Sequence, residues 1–200
     1  MAQRAFVFRT WGGVRAGAGR RPNGEKAGVS HLERPFLDGK TPVHVTVRML
    51  RGVWNLRTRR CLRPILAAMI ASGRREEFHI VHASVQGNHI HFIIEARSRQ
   101  ALSRGMQGLC IRIAKGINVV MMRAKGRVFA DRYHVHVLKS PTEVARAIKY
   151  VVGNQQIHRT RQGDPIRGEF HDPYSTRIDR PFTTPTTWLL ATGWRRILQI

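Results

Sequence analysis

The chain has 200 residues, 42% of them hydrophobic, with no apolar run near the roughly 18 residues that span a bilayer, so a membrane-spanning protein is not expected. Its 35 Lys and Arg against 12 Asp and Glu give a net charge of +23 and a pI near 11.8, which implies a polyanionic partner. Arginine dominates the excess and favours bidentate phosphate recognition, so nucleic acid is the first candidate; the alternative, an anionic membrane surface, lacks a basic stretch with a wide apolar face.

In chain order, residues 1–40 are rich in Gly and Arg without a sustained period, and are expected to be a flexible basic extension that orders on nucleic acid. No hydrophobic segment with a cleavage site follows the first residues. With Cys61 and Cys110 far apart and outside any zinc-type spacing, a reducing cytoplasm is expected, and a nucleic-acid partner would make the protein nucleoid-associated. Val43-His44-Val45-Thr46-Val47-Arg48-Met49 alternates as a strand does. After a polar connection, Leu62, Ile65, Leu66, Met69 and Ile70 recur at helical spacing up to Gly73. Residues 78–85 read as a second strand, and the Gly87-Asn88 turn joins it to a third as a hairpin.

That third strand begins with His89-Ile90-His91-Phe92-Ile93-Ile94. A side-chain period of two puts His89 and His91 on one face and Ile90, Phe92 and Ile94 on the other. Two imidazoles on a rigid backbone suit a divalent metal, although an exposed strand face that merely tolerates histidine has the same spacing.

Leu102, Met106, Leu109, Ile113 and Ile117 predict a long amphipathic helix closed off near Gly126, and residues 128–138 predict a fourth strand. The next helix has a clear start, with Ser140 as N-cap, Pro141 at the first position and Glu143 completing a capping box. Val144, Ala147, Ile148, Val151 and Val152 form its apolar stripe, and Tyr150 and Asn154 share one row at the stripe's border. Residues 159–200 are expected to be a basic tail ending in a short aromatic element, with residues 41–158 as the folded domain. The order β-α-β-β-α-β-α predicts an α+β fold, a ferredoxin-like split β-α-β with an antiparallel sheet and helices on one face.

Of the three tyrosines, Tyr150 alone lies on a well-started helix beside a potential ligand. Here the sequence resembles the single-tyrosine HUH transposases, and more closely their REP-associated tyrosine transposase branch. The likeness is carried by His44-Val45-Thr46, Gly87-Asn88-His89-Ile90-His91, Gly126-Arg127-Val128-Phe129-Ala130-Asp131-Arg132-Tyr133-His134 and Ala147-Ile148-Lys149-Tyr150-Val151-Val152-Gly153-Asn154. The resemblance implies an HUH endonuclease-type fold, with His89 and His91 binding a divalent ion, Mg2+ or Mn2+, and Asn154 as a third ligand. It further implies Tyr150 as the nucleophile that forms a 5′-phosphotyrosine link on single-stranded or hairpin DNA.

Arg48, Arg51, Arg127, Arg132, His134, Arg146 and Lys149 are expected to contact DNA, with His136 incidental, and the active form is a monomer or homodimer. The chain departs from the pattern after Asn154, where Gln155-Gln156-Ile157-His158 replaces a proline and a Val-Arg-Ala-Gly segment. Two other readings share the scaffold: a non-catalytic nucleic-acid-binding module, and a replication-initiator or relaxase-type HUH nuclease.

Overall fold

A computed structural model describes residues 33–161, 163 and 170–198. Most of the expected flexible extension, residues 1–32, lies outside the described residues.

The alternating run near the start becomes β1 (Val43–Arg48), followed by α1 (Arg59–Ser72) and a two-residue strand, β2 (Arg74–Arg75). The hairpin follows as β3 (Phe78–Val85) and β4 (His89–Ala96), its turn closed by the Gln86 N–H donating to the His89 carbonyl at 2.9 Å. α2 (Arg99–Val120), β5 (His134–Val137), α3 (Pro141–Val152) and α4 (Asn154–Arg161) complete the main body. A π-helical turn, Leu189–Gly193, and α5 (Arg195–Leu198) end it. The sheet has the order β2-β3-β4-β1-β5, and every pairing is antiparallel.

Strand alternation divides the side chains between two cores. Val43, Val45 and Val47 of β1 and Ile90, Phe92 and Ile94 of β4 are buried against Ile65 and Met69 of α1 and the predicted α2 stripe of Leu102, Met106, Leu109, Ile113 and Ile117. Each such fully buried side chain contributes about 2 kcal/mol of hydrophobic stabilisation. Small residues let the layers approach: a Cβ added at Gly105 would lie 2.2 Å from Phe78 Cδ2, and one at Gly116 would lie 2.5 Å from Pro64 Cβ.

The ferredoxin-like α+β reading holds, and its helical layer on one face is formed by α1 and α2. α3 differs, because Val144, Ala147, Ile148 and Val151 pack with Val81 and Ile93, which point to the opposite face of the sheet. The strand expected over residues 128–138 is shorter. Phe129 makes an isolated bridge to Met49. The Arg132 N–H then turns onto Asp131 Oδ1 at 2.7 Å, and regular pairing resumes only at His134.

The α1 stripe is rotated from its expected position. Cys61, Ala68 and Ser72 are buried beside Ile65 and Met69, whereas Leu66 and Ile70 face solvent, because the small side chains are the ones that admit the neighbouring layer.

Residues 170–198 are packed against the body. The Val85 N–H donates to the Tyr174 carbonyl, and the Thr176 and Phe182 N–H groups donate to the Ala83 and Val81 carbonyls, covering the β3 edge. Arg57 grips Asp172 bidentately at 2.9 and 2.7 Å. Buried Glu95 accepts four hydrogen bonds of 2.7–2.8 Å from the N–H and hydroxyl groups of Thr186 and Thr187, and Trp194 is buried beside α3.

Candidate active site

The face of the sheet that carries α3 also carries the histidines. Residues directly opposite in an antiparallel pair share a face, so the β1–β4 register of Thr46 with His91 and Arg48 with His89 sets these four side chains on one side. β5 adds His134 opposite Thr46 and His136 opposite His44.

α3 delivers Tyr150 to this face. Its start is fixed by the Glu143 N–H donating to Ser140 Oγ at 3.2 Å, while Glu143 Oε2 accepts from the Lys139 N–H at 2.6 Å. The reciprocal bond of the capping box thus comes from the residue before the cap. The buried stripe then fixes the helix rotation, and the Tyr150 ring stands edge-on to two imidazoles, 5.2 Å from His91 and 6.0 Å from His44 between centroids. His89 and His91 are 4.7 Å apart by the same measure. Tyr150 remains 37% exposed.

The polar contacts orient the rings. His89 Nδ1 lies 2.7 Å from Asn88 Oδ1, an oxygen that can only accept, so Nδ1 carries the proton and Nε2 is the acceptor nitrogen. His91 is buried, and its Nδ1 lies 3.1 Å from both His44 Nε2 and Thr46 Oγ1. Burial, reinforced by His136 and then His134, pushes the His44 imidazole down to about 4, so it is neutral at physiological pH.

Asn154 opens α4 immediately after the Gly153 cap of α3. It is only 1% exposed, and neither Oδ1 nor Nδ2 has a hydrogen-bond partner among the described residues. An unpaired buried amide costs about 1–3 kcal/mol, which an oxygen-seeking ligand would offset. Among the described residues no three His, Cys, Asp or Glu side chains converge as a metal-binding group.

A family model described as "Transposase IS200 like" matches residues 45–154, more than half of the chain. The chain belongs to the IS200-like transposase family. A solved structure described as the REP associates tyrosine transposase bound to a REP hairpin is similar at 18% identity, covering 74% of this chain and 98% of that one, with a TM-score of 0.48. No curated protein matches the chain. Family membership gives the protein a transposase-type, DNA-binding and DNA-processing role.

In this IS200-like transposase the residues expected to contact DNA lie on several elements. Arg48 is exposed directly opposite His89, and Arg51 is exposed in the following loop. Arg146 and Lys149 lie on the solvent side of α3, and His134 is exposed on β5. Arg127 is engaged locally, donating to the Phe129 carbonyl at 2.8 Å and to the Ala130 carbonyl, and Arg132 is half-buried.

The other two tyrosines are held elsewhere. Tyr133 lies 3.6 Å beneath the Arg34 guanidinium, its phenol raised by burial, and Tyr174 lies 4.5 Å beneath that of Arg57. An open groove of about 440 Å³ is lined by Lys149, Gly153, Gln156, Ile157 and Thr160, and neither Tyr150 nor any of the site histidines lines it. Among the described residues no helix is long and apolar enough to cross a membrane.

His44 and Thr46 join the site although neither was among the candidate ligands or DNA contacts. The signal was present: the alternation that buries Val43, Val45 and Val47 must turn His44, Thr46 and Arg48 to the histidine face.

Proposed function

We propose that the protein cleaves and rejoins single-stranded or hairpin-forming DNA through a covalent link to Tyr150, as in the REP-associated tyrosine branch. The observation that carries this is the exposed Tyr150 ring set against His91 on the basic face of the sheet. In the step proposed, Tyr150 Oη forms a bond to the scissile phosphorus as the bond from phosphorus to the 3′-oxygen breaks. The phenolic proton passes to solvent and the departing 3′-oxygen takes one up. One phosphodiester replaces another, so attack by a 3′-hydroxyl reverses the step without a nucleotide cofactor.

His89, His91 and Asn154 are the residues that would hold a divalent cation, Mg2+ or Mn2+. Bound there, the cation supplies charge neutralisation at the phosphate. The orphaned Asn154 amide and the Nδ1–H tautomer of His89 support this assignment. Arg48, Arg51, Arg146 and Lys149 would hold the strand's phosphates, in a monomer or homodimer associated with the nucleoid.

The reading as a non-catalytic stacking platform has little to build on. Ile90 and Phe92 are turned into the helical core, and the histidine face of β1, β4 and β5 carries no aromatic carbocycle of its own. Incubating the full chain with a panel of inverted-repeat hairpins and Mg2+ or Mn2+ tests the proposal. A cleaved product and a denaturation-resistant protein–DNA adduct are expected, whereas tight binding with neither would leave the binding module as the correct reading.

A further inference from the structure

We propose that His44 and Thr46 are positioning residues that fix the His91 imidazole as its Nδ1–H tautomer and hold the ring so that Nε2 is the nitrogen offered to a divalent cation. The inference rests on the reading of His91 as a ligand and assigns the pair of contacts behind it. His91 Nδ1 is 3.1 Å from both Thr46 Oγ1 and His44 Nε2. Thr46 stands directly opposite His91 in the strand register, and His44 is two residues along on the same face.

The alternative tautomer would put the proton on Nε2, the nitrogen whose lone pair a cation needs, and leave Nδ1 accepting from the Thr46 hydroxyl or from His44 Nε2. With the proton on Nδ1, a single donor is shared between two acceptors, the threonine oxygen and the neutral imidazole, and Nε2 keeps its lone pair. His91 is 4% exposed, so water cannot readily substitute for either contact. Thr46 adds rigidity, because a β-branched side chain on a strand has little freedom at χ1. The same tautomer is imposed on His89 by Asn88, so both rings present equivalent nitrogens.

The tautomer can be read directly from long-range 1H–15N correlation spectra of the full chain with 15N-labelled histidine in metal-free buffer, where His91 should show the Nδ1–H pattern. In parallel, Mn2+ is titrated and the free ion followed by EPR. Thr46→Val and His44→Ala should each weaken Mn2+ binding about tenfold. Hairpin affinity in metal-free buffer should be unchanged. Thr46→Ser and His44→Gln, which return an acceptor oxygen, should recover most of the loss.

Thr46→Val is close to isosteric, so the test does not depend on how His44→Ala folds. An Nε2–H tautomer at His91 in the wild-type chain would overturn the proposal. So would unchanged Mn2+ affinity in Thr46→Val and His44→Ala while His91→Ala abolishes binding. If His91→Ala itself binds Mn2+ normally, the ligand reading falls and this inference falls with it.

Discussion

Tyr150 near the end of α3 and Asn154 at the start of α4 lie on either side of the Gly153 cap and differ in exposure, 37% against 1%, and the difference separates their expected roles. Tyr150→Phe keeps the ring that packs at the edge of α3, so hairpin affinity should be unchanged while adduct formation is lost at every metal concentration. Asn154→Ala should instead shift the metal dependence of cleavage upward, with partial recovery at high Mn2+; identical metal titrations for the two variants would contradict the division of roles. Stability of Asn154→Ala without metal should change by less than about 1 kcal/mol, because losing an unpaired amide and opening a small cavity oppose each other.

A second residue-scale prediction concerns His82, buried on β3 with Nδ1 3.2 Å from Thr176 Oγ1. Burial lowers its pKa from 6.5 to about 4, so the unfolded chain binds a proton that the folded chain resists. The fold's stability is therefore complete above pH 6.5 and declines as pH falls toward 4. Over pH 7 to 5 this residue should account for a loss of about 2 kcal/mol. Denaturant midpoints across that range should show a shallower slope in His82→Gln than in the parent chain; an equal slope would contradict the assignment.

At the scale of elements, the sequence was most legible where one local rule acted alone. Ser140, Pro141 and Glu143 marked the start of α3, and the five α2 residues from Leu102 to Ile117 are all buried as their spacing required. It was least legible where tertiary contacts chose among equivalent options. Small side chains rotated α1, a local turn at Asp131 interrupted the strand, and nothing local distinguishes the two faces of the sheet for α3.

The candidate site followed the same division. Alternation set His89 and His91 together on one face, but the contacts of His91 with His44 and Thr46 depend on β1 pairing with β4 in a particular register.

Two variants test the packing. Gly105→Ala pushes a methyl group into Phe78 and should destabilise the fold by about 3 kcal/mol; a shift within 0.5 kcal/mol, roughly that of a surface substitution, would mean the two elements are not so close. Glu95→Ala should cost about 3 kcal/mol by stranding the two Thr186 and Thr187 backbone N–H groups. Hydrogen exchange should then accelerate selectively over residues 186–194, and uniform protection would contradict the role of Glu95 as the anchor of this segment.

For the whole molecule, the charge of +23 is the dominant fact, and it makes DNA affinity a strong function of salt. Residues 1–32 contribute Arg4, Arg9, Arg15, Arg20, Arg21 and Lys26. The truncation that tests them should stop there, because Leu37 is buried in the core and Arg34 stacks on Tyr133. Removing these residues should lower the slope of log affinity against log salt for single-stranded DNA by about 0.7 for each phosphate they neutralise in the full chain. An unchanged slope would assign all phosphate binding to the folded body.

One exposed tyrosine, aimed at a histidine face by a capped helix, is proposed to form the covalent link to DNA. The most direct test is mass-spectrometric mapping of the peptide–oligonucleotide adduct formed by the full chain on a hairpin substrate with Mn2+. A single modified tryptic peptide carrying the DNA on Tyr150 is expected, with no adduct from Tyr150→Phe, whereas an adduct on Tyr133 or Tyr174, or one that survives in Tyr150→Phe, would contradict this role for Tyr150.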